Sequence, residues 1–167
     1  MTNLRPGFIL VFRNKSLLGF LVRLFTKFQY NHIAIVSHID HYDDKVIIFE
    51  SSYDGVIQTK MSLYSIDNKN IACYTVNRDD CDTPELAVKL ANSYFGEVKY
   101  DFWNLFVYQP IYRIFGFWIG KQTKDRMTCA EFVANCFPKL FSHYDKDKLS
   151  VKDVLNHPKL EKRIILY

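Results

Sequence analysis

The sequence predicts one α+β domain, and three observations carry that reading. Its 167 residues can bury one full hydrophobic core, with no linker, repeat or low-complexity tract to divide residues 1–167. Apolar runs of strand length, such as "GFILVF", recur through the first half. Stretches of helical period, each with a capping residue ahead of it, stand between and after them.

In chain order, "GFILVF" (7–12) is short enough for a buried strand. "SLLGFLVRLFTKF" (16–28) follows with Ser16 as N-cap. Leu17, Phe20, Leu21, Leu24, Phe25 and Phe28 fall on one stripe of it, which predicts an amphipathic helix packed on the core. "HIAIVSHI" (32–39), the polar turn "DHYDD" and "KVIIFES" (45–51) make a hairpin. "DGVIQTKMSLY" adds a turn and a further strand or short helix, and "NIACYTVNR" (70–78) another strand. Thr83-Pro84 opens a helix that Gly96 stops. After the aromatic stretch 100–120 come a helix bearing two cysteines, a capped helix from Ser150 to His157 stopped by Pro158, and a last strand at "RIILY".

Composition narrows the function classes. Hydrophobic residues at 49% and charged ones at 24% describe an ordinary soluble globular chain. The net charge is +4, but Lys and Arg are scattered, with "KLEKR" (159–163) the densest run. Nucleic-acid binding is therefore not expected, while a weak attraction to anionic membranes is compatible with the charge. No segment reaches the roughly 18 uninterrupted apolar residues of a membrane span. The nearest, 101–120, holds Asp101, Pro110 and Arg113. With no signal peptide evident, the expected location is the cytoplasm, or a host cell or virion if the chain is viral. The four cysteines then read as reduced thiols.

Thr128-Cys129-Ala130-Glu131 fits a capping box ahead of an apolar run. Thr128 would cap the helix and Cys129 occupy its first turn, where partial positive charge and free N–H groups favour a thiolate. Those amides also suit an oxyanion. The competing interpretation is core packing, since Cys129, Phe132, Val133, Cys136 and Phe137 share one stripe. Cys136, mid-helix, reads as core.

A thiol nucleophile needs a base, and the base needs an orienting partner. His32 opens one hairpin strand and Glu50 ends the other. If paired positions sum to 82 or 84, the two side chains share a face, whereas a bulge in the turn would shift the parity and break this geometry. His38 and His41 flank the turn, remote from Glu50. His143 and His157 lie in polar stretches and read as surface residues. No zinc-type spacing or phosphate-cradling Gly-rich loop is present.

Taken in order, "GFILVF", "NHIAIV", "VIIFESSYDGV", "YDFWNLF" and "DRMTCAEFVANCF" resemble the circularly permuted papain-like thiol hydrolases. These are the YaeF/YiiX-like branch of the NlpC/P60 superfamily, a broad group that includes cell-wall peptidases and lecithin:retinol acyltransferase-like enzymes. Likeness to a poxvirus member of the branch is strongest around "DRMTC", "FVANC" and "ESSYDGV". The resemblance runs from about residue 5 to 140, and the ordered set is more specific than any one motif. It implies an antiparallel sheet packed against helices, with the reactive cysteine at a helix N-terminus. By position it implies Cys129 as nucleophile, His32 as general base and Glu50 as orienting acid. Two positions depart from the family pattern: Phe8 rather than Asp follows Gly7, and Ala130 rather than Ser follows Cys129.

The implied chemistry is acyl transfer through a Cys129 thioester, needing no metal or organic cofactor. The substrate classes are a peptide or isopeptide amide or, alternatively, an acyl lipid, with the aromatic stretch 102–119 as a membrane-surface contact or acyl groove. A non-enzymatic viral or structural protein on the same scaffold is the rival from another class.

Overall fold

The computed structural model describes residues 3–66, 70–76, 82–121, 123 and 125–164. Along the chain run β1 (Ile9–Phe12), α1 (Leu17–Thr26), β2 (His32–Asp40), β3 (Lys45–Ser52), β4 (Gly55–Ser62) and β5 (Ile71–Val76). Then come α2 (Pro84–Tyr94), β6 (Lys99–Tyr100), α3 (Gln109–Phe115), β7 (Arg126–Met127), α4 (Cys129–Cys136), α5 (Val151–Leu155) and β8 (Leu160–Arg163). This is an α+β chain. Six strands form one antiparallel sheet in the order β4-β3-β2-β1-β5-β8, and β6 and β7 form a short parallel pair.

Strand alternation divides the apolar residues between two faces. Ile9, Val11, Ile33, Ile35 and Phe49 belong to the larger core with Ala87 and Ala91 of α2 and Phe132 and Val133 of α4. Leu10, Ala34, Val36 and Ile48 meet Leu4, Leu63 and Ile66 in a smaller cluster. The stretch 55–64 therefore resolves as strand β4 leading into a tight 3-10 turn, Leu63–Ile66.

Three expectations need correction. The last strand is "LEKR" (160–163); Ile164 lies beyond it and 165–167 fall outside the described residues. His157 is buried, its ring against Phe141 and Tyr144, rather than on the surface. Most consequentially, α1 does not bury its stripe. Ser16 caps it as predicted, accepting from the Gly19 N–H, but Leu17, Phe20, Leu24 and Phe25 are exposed. Gly19 explains the placement of α1, because a Cβ there would collide with the Asn31 side chain. The helix lies close against the residue next to His32, at one end of the sheet rather than across a face.

The aromatic stretch forms a π turn at Asn104–Tyr108 that runs into α3. Asp101 starts the turn by accepting from the Asn104 N–H at 2.8 Å. The buried amides of Asn104 and Gln109 both donate to the Asp147 carbonyl at 2.9 Å, which ties this segment to the chain ahead of α5. No helix among the described residues is long and apolar enough to cross a membrane. Cys73, Cys129 and Cys136 are free and buried; Cys81 lies outside the described residues.

Candidate functional site

Cys129 is the first residue of α4. Thr128 caps that helix, its Oγ1 accepting from the Glu131 N–H at 3.2 Å while a Glu131 carboxylate oxygen accepts from the Thr128 N–H at 3.4 Å. The capping box read from the sequence is therefore formed, and it holds Cys129 in the turn where N–H groups lack intrahelical acceptors. Glu131 is itself buried. Burial, with the nearby charges of Asp147 and Asp101, pushes its carboxyl up to about 8 against the opposing pull of the Thr128 N–H. A cap that stays neutral near pH 7 sets no carboxylate charge against a thiolate on the same helix end.

His32 is the first residue of β2, and its Nε2 meets Glu50 Oε2 at 2.5 Å. The second Glu50 oxygen accepts from the Thr59 hydroxyl at 2.5 Å. The pairing that brings His32 and Glu50 together is Ala34↔Glu50, a sum of 84. Nearer the turn the register is His38↔Ile47, so a bulge at Ser37 shifts it by one. The bulge thus falls within β2 rather than in the turn, and it creates the shared face instead of breaking it. Continued unshifted from the turn, the register would set Glu50 opposite an odd-numbered residue, on the other face from His32.

The imidazole also faces Cys129. Burial alone would lower its pKa, but hydrogen bonds to Cys129 and Glu50, reinforced by their charges, push it up to about 10. Burial tends to raise the Glu50 carboxyl, yet His32 and Thr59 together hold it below the usual carboxylate range. With Nε2 committed to Glu50, Nδ1 is the ring nitrogen left for the sulfur. His38, His41 and His143 are exposed, and none of them joins the site.

Two residues of the site were not anticipated. Thr59 is diagonal to Glu50 across β3 and β4 and could have been found by extending the hairpin parity one strand further. Tyr100 pairs with Met127 in the β6–β7 ladder, which sets it beside Thr128 and Cys129. Burial, with the nearby Cys129 and Asp101 charges, pushes its hydroxyl well up, so it stays protonated beside Cys129. A tyrosine before an acidic residue was the only sequence signal for it. Gly55, at φ 96°, permits the close approach that positions β6, since a Cβ there would strike the Val98 carbonyl.

Two hollows adjoin at this site, and Cys129 lines one of them. The more polar of the two contains His32, Glu50 and Tyr100, with Asn14, Ser16 and Ser51. The other is an apolar hollow with Cys129 and Ala130 in its wall, bordered by α1, the π turn, α3 and the start of α5. Val22, Asn31 and Leu105 border both.

No family model matches the chain, and no curated protein matches it. Among solved structures it is similar to one described as metalloprotein yiiX from Escherichia coli O157:H7, DUF1105. The TM-score is 0.52 at 18% sequence identity, over 98% of each chain. The likeness is one of fold, and it spans the whole length.

Proposed function

We propose that the chain is a thiol hydrolase of the permuted papain-like kind, acting on an amide, ester or thioester carbonyl. The observation that supports this most is the linked set Cys129, His32, Glu50 and Thr59, in which each group has a partner suited to its part. The whole-length fold similarity to yiiX agrees with the branch that the sequence resembles. In such an enzyme Cys129 gives its proton to His32 and its sulfur bonds to the carbonyl carbon. The Cys129 backbone N–H and the Tyr100 hydroxyl donate to the developing oxyanion. His32 then returns the proton to the leaving amine or alcohol as the carbon–heteroatom bond breaks. Water, deprotonated by His32, releases the acid and restores the thiol. Glu50, held by Thr59, keeps the imidazole turned and steadies its charged form. A cysteine that follows the histidine in sequence, rather than preceding it, is what a permuted chain requires. The yiiX structure is described as a metalloprotein; among the described residues here, no three His, Cys, Asp or Glu side chains are placed to share a metal. No step above runs through one.

The test is reaction with p-nitrophenyl acetate, followed by intact mass. Wild type should give a nitrophenol burst and one acetyl group on Cys129. Cys129→Ala should give neither, and His32→Ala should slow acylation by about 10²–10⁴-fold. Acetylation spread over several thiols with no burst would sink the proposal. Because the His32 imidazolium loses its proton near pH 10, the rate should fall on an alkaline limb there, and His32→Gln should remove that limb.

A further inference from the structure

The apolar cavity beside Cys129 has an unusual rim. α1 presents Leu17 (78% exposed), Phe20 and Leu24 (57%) to solvent, and α3 with the turn after it presents Ile114, Phe115 (66%) and Phe117. Scattered exposed apolar residues are ordinary, but these lie on the two helices that wall one cavity. Charge segregates with them. Residues 1–39 and 102–124, which carry these helices, hold eight Lys and Arg and no Asp or Glu; the rest of the chain holds 14 basic and 18 acidic residues. The overall charge of +4 therefore conceals a basic bias in the two segments that carry these helices. Arg113 is taken up by Asp153 of α5, which leaves Arg23 and Lys27 beside the protruding Leu and Phe of α1, a mixture that suits the headgroup region of an anionic bilayer.

From this we infer that the α1–α3 face seats on an anionic lipid surface and that the substrate is an acyl lipid drawn from it. The acyl chain fills the apolar cavity, its carbonyl lies at Cys129, and the polar headgroup leaves through the cleft of His32, Glu50 and Tyr100. The lining sets this orientation: Cys129 stands in the wall of the apolar hollow, and His32, Glu50 and Tyr100 in that of the more polar one adjoining it at Val22, Asn31 and Leu105. The inference rests on the thiol-hydrolase reading for its chemistry. The Cys129 sulfur bonds to the acyl carbon, the bond to the headgroup oxygen or nitrogen breaks, and the thiol proton passes through His32 to the headgroup. Water then frees the fatty acid.

Vesicle flotation of the whole chain tests the docking, using phosphatidylcholine alone and mixed with phosphatidylserine. Wild type and Cys129→Ala should both float with the mixed vesicles, and added salt should weaken them. Arg23→Glu with Lys27→Glu, or Leu24→Glu with Phe115→Glu, should each weaken binding about tenfold or more. Absence of binding, or equal binding by these variants, overturns the docking. So does light scattering that shows a dimer broken by the Leu24 and Phe115 changes, since the face would then belong to a second copy. A series of p-nitrophenyl esters tests the cavity: the laurate should exceed the acetate in kcat/KM by about tenfold or more, and Val22→Trp should reduce that preference. Equal rates with a Cys129 acyl-enzyme still formed would reject the lipid substrate and leave the hydrolase standing. If no ester acylates Cys129, the hydrolase reading and the substrate inference fail, while flotation of Cys129→Ala still decides the docking.

Discussion

α4 and α1 look alike as sequence and end in opposite surroundings. Both are short, capped by a hydroxyl side chain, and carry an apolar stripe. In α4 every residue but Asn135 is buried, including the capping Glu131, so what looks like one stripe is enclosed all round. In α1 the stripe faces solvent at Leu17, Phe20 and Leu24. The difference lies in what is left to cover each helix. α4 runs beneath the sheet and beside α2, whereas α1 stands at the sheet's end, touched mainly by α3. Periodicity tells that a face avoids water; it does not tell whether protein or something else removes the water.

The largest effect that would sharpen this contrast comes from truncating one apolar residue in each helix. Phe132, fully buried against the ring of Tyr94, should cost about 3–5 kcal/mol as Phe132→Ala, from lost transfer energy and a residual cavity. Leu24→Ala should stay within about 0.5 kcal/mol. Urea denaturation measures both, and a Leu24→Ala loss as large as that of Phe132→Ala would mean α1 is core after all.

Burial of the α4 cap gives the next effect, and it is pH-dependent. The Glu131 carboxyl sits at about 8 in the folded chain, above its ordinary value of 4.5. Between those values the unfolded chain releases a proton that the folded chain keeps, so stability falls as pH rises through the window. The decline attributable to Glu131 should be roughly 4 kcal/mol between pH 5 and pH 8.5. Glu131→Gln, which mimics the neutral cap, should remove it, leaving the variant more stable than wild type at pH 8.5. A wild-type curve unchanged by the substitution would show that Glu131 ionises freely. The His32–Glu50 pair has its own profile. The contribution of the raised His32 is complete below 6.5 and lost as pH climbs through about 10, and that of the depressed Glu50 is lost as pH falls through its lowered value.

Most of the fold, and the three residues that meet at the candidate site, were legible because each rests on local chemistry. Thr128 and Glu131 announce a helix start three residues apart, and His32 and Glu50 bracket a hairpin whose turn is unmistakable. What could not be read depends on relations between segments. The bulge at Ser37 that sets the parity has no Gly or Pro to mark it. Tyr100 reaches Cys129 only through a two-residue ladder between segments 26 residues apart in numbering. The exposure of α1 depends on Gly19 meeting Asn31, a packing fact without a sequence period.

The smallest contrast concerns the two caps themselves. Thr128 and Ser16 make the same kind of bond, each accepting the N–H three residues on, at 3.2 and 3.1 Å. Thr128 does so while buried, so removing its hydroxyl would leave the Glu131 N–H without a partner and without water. Ser16 is exposed, and water can replace its oxygen. Thr128→Ala should therefore cost about 2 kcal/mol, the upper end for a cap, and Ser16→Ala only about 0.5 kcal/mol, the lower end. The buried cap also holds the turn that carries the sulfur, so Thr128→Ala should slow iodoacetamide alkylation of Cys129 as well as lower the urea midpoint. Equal losses for the two caps would mean that burial does not decide their worth, and that the two helices differ less than their surroundings suggest.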